Sequence, residues 1–108
     1  MAAPAFDLRT LLDELVSKLE GRIRVTKVIL FGSYANHKAQ PWSDIDVAII
    51  SPDFTSLPLW RRQEVLAEAL PGIDVRLSPL GYAPSELADP TPFLGEIIRT
   101  GKVVYEAP

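Results

Sequence analysis

Ile29-Leu30-Phe31-Gly32-Ser33 and, ten residues further on, Asp44-Ile45-Asp46-Val47-Ala48-Ile49-Ile50 are the two stretches on which the fold turns. The first continues Val25-Thr26-Lys27-Val28 and stops at a glycine. A segment that is β-branched at first and continuously apolar at its end reads as a strand, 25–31, buried on both faces where it finishes. The second opens on two aspartates and runs on as four apolar residues, a central strand over 44–50 closed by Ser51-Pro52. Alternate residues of a strand share a face, which sets Asp44 and Asp46 on one side, roughly 6.6 Å apart. Ile45 turns to the opposite, apolar side.

Outward from this pair, helical spacing of Leu8, Leu11, Leu12, Leu15, Val16 and Leu19 predicts an amphipathic helix, with Asp7 as N-cap and Gly21 as its stop. A short helix is expected over 34–38, and a loop at Pro41-Trp42-Ser43. A second long helix is predicted over 57–70, with Trp60, Leu66, Ala67 and Leu70 as core candidates and Pro71-Gly72 ending it. Ile73-Asp74-Val75-Arg76-Leu77 alternates like a third strand. The proline-rich 78–92 reads as loop, with one helical turn near Ser85-Glu86-Leu87. Thr91 as N-cap and Pro92 at the first helical position open a last helix to Thr100, and Lys102–Tyr105 forms a final edge strand. Strands alternating with helices imply an α/β (α+β) domain: a small mixed β-sheet flanked by helices. The 108 residues form one domain, 1–108, with 1–5 as a flexible tail.

Bulk properties narrow the function classes. A net charge of −3 lacks the basic stripe of a nucleic-acid binder, so no polymeric DNA or RNA is expected as partner. The absence of cysteine excludes disulfides, thiolate zinc sites and cysteine nucleophiles. No apolar run approaches a membrane span, no signal peptide is visible, and the expected location is cytoplasmic.

The two strand ends carry the candidate chemistry. Glycine admits close approach of a ligand to backbone, a helix start offers N–H groups and Ser33 adds a hydroxyl, so Gly32-Ser33 forms a small phosphate cradle. A plain strand-to-helix turn capped by serine has the same appearance, and the pair gains meaning from what accompanies it. Two carboxylates on one face repel, and aspartate is depleted in strands. A hard divalent cation with oxygen ligands removes that conflict; two aspartates capping a loop in solvent are the alternative. Asp74 is expected on a strand beside the pair, where three carboxylates hold two metals, or one metal with Asp74 as general base toward an acceptor hydroxyl. Trp42 either stacks on a base or anchors the loop on the core.

Gly32-Ser33, ten residues, then Asp44-Ile45-Asp46 resembles the signature of the nucleotidyltransferase superfamily that includes DNA polymerase β. The short chain is similar to its minimal nucleotidyltransferase (MNT) branch, through Leu30–Ala35, Ser43–Ala48, Asp74 and the ending Glu96–Tyr105. The resemblance implies a polymerase β-like fold, Mg²⁺ (one or two ions) and ATP, with attack on the α-phosphate and loss of pyrophosphate. Asp44, Asp46 and Asp74 would be the catalytic and metal-binding residues, Gly32 and Ser33 the nucleotide-binding ones. Many MNT proteins are antitoxins that transfer AMP to a tyrosine of a HEPN-domain RNase toxin, which makes a HEPN partner the implied acceptor. The family often has Ala-Arg-Gly after Gly-Ser-x, whereas Ala35 is followed by Asn36-His37. That difference supports a second reading, an MNT-like module that neutralises its partner by binding alone; Lys38 substitutes for the missing base if it turns back to the site. A third reading is small-molecule nucleotidyl transfer, which so short a chain serves poorly because it has no accessory domain.

Overall fold

The computed structural model describes residues 7–108; the tail expected over 1–5 lies outside them. Helix α1 (Leu8–Glu20) starts at the expected cap, where Asp7 Oδ1 accepts from the Arg9 and Thr10 amides at 3.0 and 3.3 Å. Strand β1 (Lys27–Phe31) leads into a single 3-10 turn, Gly32–Tyr34, in place of the helix expected over 34–38. Strand β2 (Ile45–Ile50) is followed by a second 3-10 turn (Pro52–Phe54) and helix α2 (Leu59–Ala69). Strand β3 (Leu77–Tyr82), helices α3 (Pro84–Ala88) and α4 (Pro92–Thr100), and strand β4 (Lys102–Glu106) complete the chain.

The sheet order is β3-β2-β1-β4. Strand β1 is antiparallel to β2 and β4, while β2 and β3 are parallel, the mixed sheet that alternating strands and helices imply. Sheet alternation divides the core in two. Val28, Leu30, Ile45, Val47 and Ile49 pack with Leu11, Leu12, Leu15 and Leu19 of α1 and Leu66 and Ala69 of α2. On the other face Ile29, Ala48 and Ile50 meet Leu94 and Ile97 of α4. Five of the six residues of β2 are buried, as a strand covered on both faces must be. Asp46 is the exception, on the α4 side of the sheet.

Two expectations are corrected. The third strand is not 73–77: Val75 is 99% exposed, and the strand runs over 77–82 through Pro79. A proline usually interrupts a ladder, but β3 is an edge strand, where a missing N–H is tolerated. Trp60 and Ala67 are not core: both are exposed, Trp60 to 67%. The buried side of α2 is set by Arg62, Leu66 and Ala69, and Trp60 lies roughly 200° around the helix from Arg62.

Candidate nucleotide site

Sheet polarity gathers the site. The C-terminal end of β1 and the N-terminal ends of β2, β3 and β4 share one edge of the domain. Across it the order is Ser78 on β3, Asp46 on β2, Phe31 and then the Gly32 turn after β1, with Lys102 on β4 beside Leu30. The two halves of the motif, separate in sequence, meet here: Phe31 and Asp46 are register partners.

Gly32 makes that meeting possible. Its φ of +74° lies in the left-handed region that disfavours a side chain, and a Cβ there would collide with the Asp46 carboxylate. The chain then turns tightly, with the Ala35 and Asn36 amides donating to the Gly32 carbonyl at 3.1 and 3.2 Å and the Lys38 amide donating to the Ser33 carbonyl at 3.0 Å. One 3-10 turn has little aligned dipole behind it. Phosphate affinity from a helix macrodipole, expected when a helix was assigned to 34–38, is therefore small. Among the described residues the Ser33 hydroxyl makes no hydrogen bond, which leaves it available to a ligand.

Asp44 and Asp46 stand together without protein partners. Neither carboxylate accepts a hydrogen bond or forms an ion pair among the described residues. Asp44 is exposed, one residue before β2, while Asp46 is partly buried. Burial, and then the charge of Asp44, push the Asp46 carboxyl above the usual carboxylate range. An acid pair on one strand end, with one member resisting ionisation, fits a hard divalent ion bound through one or two carboxylates.

Asp74 does not join them. It lies in the turn before β3, where its carboxylate is held by the Arg76 guanidinium at 2.6 and 2.9 Å and by the Arg76 amide at 2.9 Å. Those bonds hold its carboxyl down to about 2. The β3 residue beside Asp46 is Ser78, and among the described residues no group of three His, Cys, Asp or Glu side chains converges on a metal position. The strand expected to carry Asp74 beside the pair begins at Leu77 instead, and the Asp74 carboxylate faces Arg76. A carboxylate already neutralised by a guanidinium is also a poor base.

Three residues that sequence reasoning passed over matter here. Arg76 donates to the Pro41 carbonyl at 2.9 Å and contacts the Tyr34 hydroxyl at 3.4 Å, and its own carbonyl accepts from the Ile45 amide at 2.8 Å. It thus braces the turn after Ser33 and the loop before Asp44 together. Ser78 occupies the register position beside Asp46. Lys102 stands at the opposite flank, its ammonium 3.1 Å from Nε2 of His37. Arg76 was legible only as the alternation partner of Asp74, and Lys102 is 65 residues from His37. His37 itself has a φ of 58°, which costs a non-glycine residue about 1 kcal/mol. Trp42, considered as a loop anchor or a stacking platform, is 75% exposed.

Comparison with known proteins agrees with this geometry. The sequence profile described as "Nucleotidyltransferase domain" matches residues 8–98. A Methanocaldococcus jannaschii protein named "Putative protein adenylyltransferase MJ1305" is 26% identical over 106 residues, covering 92% of this chain and 72% of its own length. A crystal structure of a "putative nucleotidyltransferase" from Sulfolobus solfataricus superposes with a TM-score of 0.70 at 15% identity, covering 92% of this chain and 80% of that one. A toxin–antitoxin structure with AMP-PNP gives 0.57 at 22% identity, with 94% and 75% covered. A mutant of the toxin–antitoxin MntA-HpeT gives 0.60 at 20%, with 88% and 72% covered. At these identities the structural likenesses establish the fold. The match over residues 8–98, with the Gly32 turn seated against Asp46, makes this chain a member of the nucleotidyltransferase domain family.

Proposed function

We propose that the chain binds ATP with Mg²⁺ at Gly32, Ser33, Asp44 and Asp46 and transfers AMP to a tyrosine of a HEPN-type toxin, so acting as its antitoxin. The observation that carries the reading is the packing of Gly32 on Asp46, which joins a phosphate-accessible turn to an unpartnered carboxylate pair. In this reaction an acceptor oxygen bonds to the α-phosphorus, the bond to the departing pyrophosphate breaks, and the hydroxyl proton leaves to a base. Mg²⁺, held by Asp44 and Asp46, supplies neutralisation of phosphate charge. Gly32 leaves room for the phosphates, and the Ser33 hydroxyl donates to one of their oxygens. Two carboxylates favour one protein-held ion over two. Positioning and charge neutralisation then account for most of the rate.

The relatives support the partner class: one is named a protein adenylyltransferase, and two structural neighbours are toxin–antitoxin proteins. Size points the same way. Two cavities that the described residues form, about 350 and 310 Å³, lie along α2 and β3. Neither is lined by Gly32, Ser33, Asp44 or Asp46, which suits an acceptor presented by another protein.

One specific observation favours a second reading, neutralisation by contact alone. Ser78 rather than an acid lies beside Asp46, and Asn36-His37 bring no guanidinium to the turn. Incubation with ATP, Mg²⁺ and a HEPN-type toxin encoded beside this chain, followed by intact mass measurement of both proteins, separates the two. Gain of one AMP on the toxin, lost on tyrosine substitution, supports transfer. A stable complex with both masses unchanged supports contact alone.

A further inference from the structure

In a phosphoryl transfer the attacking and departing oxygens lie in line, on opposite sides of the phosphorus. Along the carboxylate edge the order is Ser78 of β3, Asp46 of β2, then Phe31 and the Gly32 turn of β1. Phosphates cradled at Gly32-Ser33 lie on the β1 side of Asp46. Pyrophosphate then departs over β1, and the attacking oxygen has to enter over β3.

A groove of about 350 Å³ lies on that side, its walls including Leu59, Leu80, Tyr82, Glu86, Thr91 and Phe93. The register fixes its position relative to Asp46. Leu80 is the partner of Ala48, which follows Asp46 by two residues on the α4 face of the sheet. Strand rise and spacing set the Leu80 and Asp46 Cα atoms about 8 Å apart. From the opposite wall the Phe93 ring meets that of Phe31, the register partner of Asp46, edge to face with centroids 6.2 Å apart. Leu59 and Phe93 are exposed, so an open apolar groove adjoins a charged edge on one face. Concave surfaces of this kind take the aromatic and aliphatic anchors of a partner protein.

Charge narrows the partner. From β3 through α4, residues 77–100 carry Glu86, Asp89 and Glu96 against Arg99 alone. Glu86 pairs with Arg62 and Glu96 with Arg99, while Asp89, two residues before Thr91, forms no ion pair among the described residues. The groove thus lies between unpaired acids, Asp44 and Asp46 at the edge and Asp89 beside Thr91. An apolar segment that also carries lysine or arginine complements it.

We infer that this groove docks the acceptor protein, through an apolar segment bearing a cation, and so delivers the acceptor hydroxyl from the β3 side of Asp46. The inference rests on the transfer reading above and adds to it the surface that selects the acceptor. Transfer of AMP to the HEPN-type toxin encoded beside this chain, followed at varied toxin concentration, tests it alongside calorimetry with ATP and Mg²⁺. The double variant Leu59→Ser, Phe93→Ser should raise KM for the toxin about tenfold, leaving kcat at saturating toxin and ATP affinity near wild type. Asp89→Lys should raise the same KM at low salt and less at high salt, and Val75→Ser, exposed beside the other cavity, should change nothing. An unchanged KM in the double variant, with the melting temperature retained, overturns the inference. So does an equal loss of ATP affinity, which would assign the groove to the nucleoside. If the wild type binds ATP and toxin without transferring AMP, the transfer reading fails by itself. Calorimetric binding of toxin then decides the groove, and undiminished binding by the double variant overturns it.

Discussion

Gly32 and Asp46 occupy adjoining space, and each limits what the other can be. Gly32→Ala adds a carbon where the Asp46 carboxylate lies and forces an L side chain into φ near +74°. The expected result is loss of most nucleotide affinity together with about 1–2 kcal/mol of stability, read from calorimetry and chemical denaturation. Asp46 itself opposes folding when ionised, because burial and Asp44 raise its pKa over the unfolded value. An acid with a raised folded pKa costs stability above that pKa, and the cost vanishes below the unfolded one of about 3.9. Asp46→Asn should therefore raise the melting temperature at pH 7 while abolishing transfer, and the gain should shrink toward zero by pH 3.5. Asp74 has the opposite sign. Its pKa, held to about 2 by Arg76, contributes stability above about pH 4 that is lost as pH falls through about 2. Asp74→Asn should melt earlier at neutral pH and converge on the wild type near pH 2, with turnover reduced through a loosened brace rather than through loss of a base.

At the scale of elements, the reading of 25–31, 44–50, α1 and α4 from residue pattern was sound because local physics decides them. Asp7 and Thr91 accept amides at the starts of α1 and α4, and Gly101 donates to the Ile97 carbonyl at 2.8 Å where α4 ends. The third strand was misplaced because alternation in Ile73-Asp74-Val75 is a local signal, while strand pairing is not. Parallel pairing with β2 selects 77–82, and the edge position excuses Pro79. That displacement also moves Asp74 off the strand and into the turn before it. Arg62 was unreadable for a related reason. It looks like a surface residue of α2, yet it is buried, donating to the Leu57 and Gly81 carbonyls at 2.8 and 3.2 Å and pairing with Glu86 at 2.6 Å. Phe54 lies beneath its guanidinium at 5.9 Å. Arg62→Ala should cost about 2 kcal/mol, less than a fully buried pair because Glu86 keeps access to water. Chemical denaturation checks it, and nucleotide affinity should change little, since Arg62 lies away from the carboxylate edge.

On the scale of the whole molecule, a four-stranded sheet with helices on both faces leaves one strand edge to carry chemistry. The carboxylate pair and its spacing to Gly32-Ser33 were visible in the sequence because both break local rules at strand ends. The pairing of Lys102 with His37 was not, because only the β1–β4 register brings the start of β4 to this end of the sheet. Among the described residues no helix is long and apolar enough to cross a membrane. The exposed Leu59, Trp60 and Phe93 give the molecule apolar surface that a partner could cover.

The central claim is that the Gly32 turn and the Asp44–Asp46 pair form one metal-dependent nucleotide site. Calorimetric titration of ATP into wild type and Asp46→Asn, each with Mg²⁺ and with EDTA, tests it most directly. The account predicts binding by wild type that needs Mg²⁺ and is lost in Asp46→Asn, whose melting temperature is no lower. Equal binding by both proteins, or binding indifferent to EDTA, would contradict it.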